Sequence, residues 1–254
     1  MTATPARRRG LVIPAIFILV VTAVLAGLGT WQVERLQWKQ GLIAELDRKL
    51  GGAVTHLPPR ERWTQLNAAD DEFRRVSFPV EFLAGEEALV YSAGSSLRPD
   101  AAGPGYWVFS PARLTGGSIV VVNRGFVPEG RQDPKSRAEG TPSGVVDITG
   151  SMRWPETRGQ FTPPDEPNKN LWFARDPAAM AKAKNWGTVA PFYVDQEAPA
   201  AAGGLPKVGP LKASLPNNHL QYAVTWYGLA LVVFVSGVIF LVVRRREASR
   251  EAID

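Results

Sequence analysis

The chain contains two histidines, His56 and His219, and His219 is the one whose neighbours favour cofactor chemistry. Tyr222 and Trp226 follow it at i+3 and i+7, positions that a helix presents on one face. Imidazole is a common axial ligand of iron, and aromatic side chains suit a flat apolar ring. The three residues fit either an axial ligand for an iron-bearing ring or an aromatic anchor at a membrane surface.

A helix start predicts the position of His219. Pro216 and two asparagines, Asn217 and Asn218, precede it, and asparagine is a favoured N-cap residue. The apolar run Leu220–Val243 follows, so His219 is expected in the first turn of a membrane helix. A second uncharged run, Gly10–Val33, lies near the N-terminus. At about 1.5 Å per residue, either run can cross a hydrocarbon core of about 30 Å.

Arginine clusters flank both runs on their outer sides, Arg7–Arg9 before the first and Arg244–Arg246 after the second. Because basic flanks stay on the cytoplasmic side, both termini are expected there, and residues 34–219 outside. This predicts a multi-pass protein of a bacterial inner membrane with a periplasmic outer domain; an outer domain in an intermembrane space is the alternative. The alternative for the first run is a cleavable signal peptide ending near Val24-Leu25-Ala26.

The first helix is expected to extend beyond the membrane, because good helix formers and no proline continue to about Leu50. Trp31, Arg35, Trp38 and Leu42 lie on one face of that extension. Tryptophan favours the membrane interface, so an aromatic belt is the simpler interpretation and a functional groove the alternative.

The outer region is rich in short alternating apolar segments separated by glycine and proline, which is typical of a mainly antiparallel sheet or small barrel. A hairpin is predicted from 74–83 and 88–92, turned at Gly85. Further strands are expected at 106–110, 118–123, 145–152 and 191–195, with one helix at 177–184. The fold class is an α+β membrane protein, with an N- and a C-terminal transmembrane helix flanking the β domain. The predicted divisions are a tail 1–10, helix 11–50, outer domain 51–216, helix 217–243 and tail 244–254.

Composition excludes several functions. The chain has no cysteine, which rules out thiolate metal sites and redox disulfides. Its formal charge of +5 sits mainly on the terminal tails, so nucleic-acid binding is not expected. No catalytic motif is present, and the protein is not expected to be an enzyme. The sequence Asn123-Arg124-Gly125 predicts a turn in which Arg124 pairs with a nearby carboxylate.

Three motifs in order carry a resemblance to a known family. They are Leu28–Arg35 with Lys39 downstream, Val122–Pro128, and Asn218–Trp226. Together they resemble the surfeit locus protein 1 family over nearly the whole chain. Phe126 stands where tryptophan is common in that family, a conservative departure.

The resemblance implies an assembly factor, or chaperone, of the respiratory chain that helps haem a reach the catalytic subunit of cytochrome c oxidase. His219 then matches a membrane-edge histidine proposed to contact haem iron, and Trp31 to Arg35 match the first-anchor motif. On this hypothesis Arg35 and Lys39 pair with the haem propionates, while Ala23, Gly27 and Gly228 let the helices approach closely. The implied partners are that subunit, the haem a synthesis machinery and membrane lipid.

Two other functions fit the same layout. One is a scaffold that stabilises an oxidase subunit during assembly without contacting haem. The other is a periplasmic sensor or polysaccharide chain-length regulator, which the sheet-rich outer region disfavours because such regulators depend on long helical segments.

Overall fold

The computed structural model describes residues 6–212 and 215–250. They group into a helix pair, formed by the chain up to Ala44 and from Pro216 onward, and a β domain, Glu45–Leu215. The elements in chain order are α1 (Ala6–Leu50), β1 (Thr55–His56), α2 (Ala68–Asp71), β2 (Arg75–Phe82), β3 (Ala88–Ser92), β4 (Gly105–Arg113), β5 (Ile119–Pro128), β6 (Val145–Arg153), β7 (Leu171–Trp172), α3 (Pro177–Lys184), β8 (Val189–Ala198) and α4 (His219–Arg250).

Helices α1 and α4 are both long and apolar enough to cross a membrane, with mean hydropathy of 2.8 and 2.5 in their most apolar windows. The prediction of two apolar terminal helices is confirmed. Helix α1 continues without a break to Leu50. Arg48 and Lys49 lie in its last turn, where positive charge is favourable beside the free carbonyl groups.

A seam of small and part-buried residues joins the two helices. A Cβ atom added to Gly29 would lie 3.0 Å from the Tyr227 ring, and one added to Gly237 would lie 2.5 Å from Cγ2 of Ile18. Such close contacts need glycine, as in many membrane helix pairs. On α4 the seam follows alternating steps of four and three residues through the less exposed positions His219, Ala223, Trp226, Ala230, Val233 and Gly237.

The small residues predicted to form this contact are the wrong ones. Gly27 and Gly228 have no neighbouring atom within 4 Å of an added Cβ, and Ala23 is exposed. Small size alone does not place a residue on the seam. The residues that contact the other helix recur about every 3.5 residues along each helix. Gly29 and Gly237 occupy such positions.

The strands of the β domain close into a barrel. Neighbouring strands follow the order β1-β2-β6-β8-β5-β4-β3-β7, and an additional pairing of β2 with β4 closes β2, β6, β8, β5 and β4 into a ring. Within the ring only β5 and β8 are parallel. The prediction of a mainly antiparallel sheet or small barrel is confirmed.

The barrel interior is an apolar cluster to which all five ring strands contribute. Alternating residues of β2, Val76, Phe78 and Val80, pack there with Ile148 of β6 and Phe192 of β8. A second cluster on the other face of β4, β5 and β8 includes Met180 and Ala181 of α3. Strands β5 and β8 are therefore covered on both faces, which explains their nearly continuous apolar sequence.

The predicted hairpin of 74–83 with 88–92 is wrong. β2 ends against β4 with Phe82 opposite Ala112, and β3 continues along β4 in the same direction, with Ala88 opposite Phe109. Along most of its length β2 instead pairs with β6. The turn at Gly85 is therefore a bend between two successive segments. The long strand β4 offers both of them backbone partners, which a local reading of the turn does not reveal.

A buried polar network links β5, β6 and β8. Arg153 donates to Asp195 at 3.2 Å and to Glu72 at 2.9 Å. Asn123 donates to the other oxygen of Asp195 at 2.6 Å, and its own oxygen accepts the backbone N–H of Gly125. Burial alone would lower the pKa of Arg153, but Tyr193, Asp195 and Glu72 outweigh it and raise that pKa above the ordinary value. The charges of this network compensate one another.

The prediction for Arg124 is wrong in both parts. β5 continues through Asn123-Arg124-Gly125 to Pro128, so the segment is strand and not turn. Gly125 adopts a φ of 115°, and an added Cβ would lie 2.4 Å from the carbonyl oxygen of Lys207. No carboxylate in the described part of the chain lies within salt-bridge distance of Arg124; its Nη2 donates to the carbonyl oxygen of Gly140.

Candidate functional site

The start of α4 positions His219 as the sequence predicts. The helix begins at His219, and the backbone N–H of Tyr222 donates to the carbonyl oxygen of Asn218 at 3.2 Å. Asn218 is therefore the N-cap residue, and His219 occupies the first turn.

The imidazole of His219 is held by a residue of α1. Its Nδ1 lies 2.7 Å from Oε1 of Gln32, which is only 9% exposed. An amide oxygen only accepts hydrogen bonds, so Nδ1 is the donor. In the neutral ring the lone pair then resides on Nε2, which makes no hydrogen bond within residues 6–212 and 215–250. Fixing one ring nitrogen so that the other is available is the usual way in which proteins prepare a histidine for a metal.

The predicted aromatic partners of His219 divide between two environments. Trp226 is part-buried on the same seam, whereas Tyr222 is 54% exposed on the outer surface of α4. Trp31 is also 54% exposed, although it directly precedes Gln32. The structure therefore places His219, Gln32 and Trp226 on the helix seam, and it leaves Trp31 and Tyr222 on the exposed surface of the helix pair.

The two predicted basic residues have different contacts. The guanidinium carbon of Arg35 lies 3.9 Å from the centroid of the Trp38 ring, and Arg35 is exposed. Lys39 donates from its ammonium group to the carbonyl oxygen of Pro216, shortly before α4. Arg35 is thus a stacked, accessible cation, while Lys39 also ties α1 to the segment that leads into α4.

Gln32 is the residue that sequence reasoning missed. A signal was present, because a glutamine within an uncharged apolar run is costly in a membrane unless it finds a partner. Its position three residues after Gly29 also keeps it on the seam. The hydrogen bond to His219 is the partner that explains its presence.

The site offers one ligand atom for a metal. Among the described residues there is no group of three or more histidine, cysteine, aspartate or glutamate side chains that could enclose a metal ion. A single prepared imidazole suits an iron that already has four ligands from a macrocycle. The donor set therefore fits a haem and does not fit a metal ion enclosed by protein side chains.

The fold and this site define a class of membrane-associated protein: two apolar terminal helices and a β-barrel domain, with a prepared histidine at the start of the second helix. A sequence model of the SURF1 family matches residues 19–231. Surfeit locus protein 1 of Rattus norvegicus is 34% identical over 223 residues, which is 84% of this chain and 71% of that protein. The human protein of the same name is 34% identical over 228 residues, 84% of this chain and 72% of the human one.

A SURF1-like protein of Monosiga brevicollis is 34% identical over 246 residues, 93% of this chain and 89% of that protein. The chain belongs to the SURF1 family. The resemblance drawn from the three motifs is confirmed, and the matched range 19–231 spans the positions of Gln32 and His219.

Proposed function

We propose that this protein is an assembly factor for a haem-copper terminal oxidase, cytochrome c oxidase, and that it assists delivery of haem a to the catalytic subunit. The observation that carries the proposal is the hydrogen bond from Nδ1 of His219 to Oε1 of Gln32 at 2.7 Å. With Nδ1 engaged in this way, Nε2 would be the atom that ligates the haem iron. Haem a is the cargo, and the protein has a non-catalytic role.

The proposed location is a bacterial inner membrane that both helices cross, with both termini cytoplasmic and the β domain in the periplasm. The support is the arginine clusters outside each apolar run together with the length of both helices. In this arrangement His219 lies at the periplasmic edge of the bilayer. The apolar tail of haem a would remain in lipid and its propionates at the charged boundary.

Arg35 is the proposed partner of a propionate. It is exposed, it lies one helical turn from Trp31 on α1, and its guanidinium stacks on Trp38 without binding a carboxylate in the described residues. Lys39 is a weaker candidate, because its ammonium group already donates to the carbonyl oxygen of Pro216. Trp31, Tyr222 and Trp226 supply aromatic surface for the ring or for the headgroup region.

The test is the visible spectrum of the full chain after co-expression with a haem a-producing system and purification in mild detergent. We expect a haem a band in the wild type and its loss in His219→Ala. Gln32→Leu should retain the ligand but bind less haem and shift the band, because the imidazole is no longer oriented. Tyr227→Phe is the matched control: it removes the 3.0 Å hydrogen bond between Tyr227 and Thr30 on the same helices without touching His219.

A colourless wild type, with haem a shown to be available, would contradict the haem-carrier proposal. It would favour the alternative function, a scaffold that stabilises an oxidase subunit without binding haem.

The propionate assignment has its own test. Arg35→Gln should lower haem content, whereas Arg48→Gln on the same helix, where Arg48 pairs with Glu45, should not. Equal haem content in both variants would exclude Arg35 as the propionate partner.

A further inference from the structure

A cavity of about 320 Å³ lies in the β domain beside the barrel. The end of β2 at Phe82, the start of β6 at Val146 and the loop 140–143 form one part of its wall. The segment 199–202 and Val208 form the other part. Arg124 of β5 is the basic residue of this wall. The volume falls within the range of small-molecule sites, about 300–1,000 Å³.

Arg124 is buried and forms no salt bridge with any of the residues that the structure describes. It is only 8% exposed, yet its hydrogen bond in the described structure goes to a neutral group, the carbonyl oxygen of Gly140. Its guanidinium carbon lies 5.2 Å from the centroid of the Phe82 ring, which provides a flat apolar support. A guanidinium has five N–H donors on three nitrogens. Only Nη2 is engaged with the described residues, so Nε and Nη1 remain available for a planar acceptor.

The buried and part-buried charges around the cavity leave one positive charge in excess. Glu87 is the acid whose charge most strongly favours the Arg124 cation, but Glu87 forms a salt bridge with Arg137, which is itself buried. Glu139 also lines the cavity and is exposed to solvent, where water screens its charge. Burial lowers the pKa of Arg124 to about 10, with attraction from Glu87 and repulsion from Arg137 as smaller influences, so the group is charged at neutral pH.

A buried and uncompensated arginine is costly to keep, because an unpaired charge loses its hydration without gaining a partner. An anion that enters the cavity would remove that cost. A carboxylate matches the planar fork of a guanidinium, and its single negative charge equals the excess. The apolar side chains of Phe82, Val146 and Val208 add a preference for an aliphatic body next to the carboxylate.

We propose that the cavity at Arg124 is a binding site for a carboxylate group attached to a short apolar body, either a free organic acid or the C-terminal residue of a polypeptide. The carboxylate accepts hydrogen bonds from the free donors of Arg124, and the aliphatic part packs on Phe82, Val146 and Val208. The proposed binding involves neither His219 nor haem.

Ligand-detected NMR titrations of the full chain in nanodiscs test the proposal with acetate, butanoate and butan-1-ol. Butanoate has two methylenes more than acetate and should bind about fifteenfold more tightly, since each buried methylene contributes about fourfold. Butan-1-ol should show no saturable binding. Equal binding of butanoate and butan-1-ol would overturn the proposal, because it would show that the carboxylate is not recognised, and so would absence of butanoate binding.

Two variants and a control assign the binding to this cavity. Arg124→Gln should weaken butanoate binding at least tenfold, whereas Arg113→Gln removes an exposed arginine at the end of β4 and should leave it unchanged. Ala200→Phe retains Arg124 but fills the cavity from its rim and should also weaken binding, so a folding defect of Arg124→Gln cannot decide the outcome alone. Unchanged affinity in Ala200→Phe would overturn the assignment.

N-acetyl-leucine and N-acetyl-leucinamide distinguish the two sources of the carboxylate. If the site receives a polypeptide C-terminus, the acid should bind more tightly than butanoate and the amide should not bind. Tighter binding of butanoate than of N-acetyl-leucine identifies a free organic acid as the ligand, and equal binding of the acid and its amide contradicts the proposal.

Discussion

Arg153 and Arg124 are buried to the same extent in the β domain, each about 8% exposed, but they differ in what surrounds them. Arg153 contacts two carboxylates, Asp195 and Glu72. Arg124 contacts a backbone carbonyl and an open cavity. A buried charge that contacts carboxylates stabilises the fold. A buried charge that lacks such a partner and borders a cavity is suited to bind an anionic ligand. Burial alone does not distinguish the two roles.

The largest effect is expected for Asp195→Ala. It leaves Arg153 without its more buried partner and Asn123 without an acceptor, so the free energy of unfolding should fall by about 3–5 kcal/mol. Denaturant unfolding of the full chain in mild detergent, followed by tryptophan fluorescence, measures this loss. Asp147→Ala is the control, since it removes an exposed carboxylate from β6. Equal losses in the two variants would mean that the network does not stabilise the domain.

The direct comparison of the arginines is Arg153→Gln against Arg124→Gln. The first variant leaves two acids without their cation and should cost about 3 kcal/mol of unfolding free energy. The second relieves an unpaired buried charge and leaves only the carbonyl oxygen of Gly140 without a donor, so its net cost should not exceed about 1 kcal/mol. The same unfolding measurement checks both values. If Arg124→Gln proved as costly as Arg153→Gln, Arg124 would be a structural residue like Arg153.

The smallest effect concerns Asp100, a partly exposed acid. Its hydrogen bond from Arg98 lowers the pKa of the Asp100 carboxyl below the ordinary 3.8, although burial opposes the shift. Because the folded-state pKa is the lower one, the stabilisation is present above about pH 4 and is lost as the pH falls through the folded-state pKa. Since the side chain is 39% exposed, Asp100→Asn should cost less than about 1 kcal/mol at pH 7.

The difference between wild type and Asp100→Asn should shrink as the pH is lowered from 6 to 3, which thermal unfolding over that range measures. A difference that grows at low pH would have the wrong sign for a paired carboxylate.

The sequence was sufficient where a local periodicity determined the answer. The alternation in β2 and the N-cap before His219 both predicted the observed elements, because burial of one face and capping of one helix end are local requirements. Helix α3 was predicted with its observed bounds, Pro177–Lys184.

Non-local partners could not be read from the sequence. The turn at Gly85 resembles a hairpin turn, yet β2 and β3 follow one another along β4, and the pairing of distant strands decided their arrangement. The sequence predicts a carboxylate partner for Arg124 because a carboxylate is the usual partner of a guanidinium, whereas the partner in the structure is the carbonyl oxygen of Gly140. Gln32 was missed because its partner lies 187 residues further along the chain.

The hydrogen bond between His219 and Gln32 has a consequence for the sliding of one helix along the other. A seam of alanine, glycine and aliphatic side chains offers several axial positions of similar energy. A single buried polar pair selects one of them, as a lone asparagine does in coiled coils. Gln32 and His219 therefore fix how far α4 is advanced along α1, and the contact that orients the imidazole also sets the axial position of the imidazole on the helix pair.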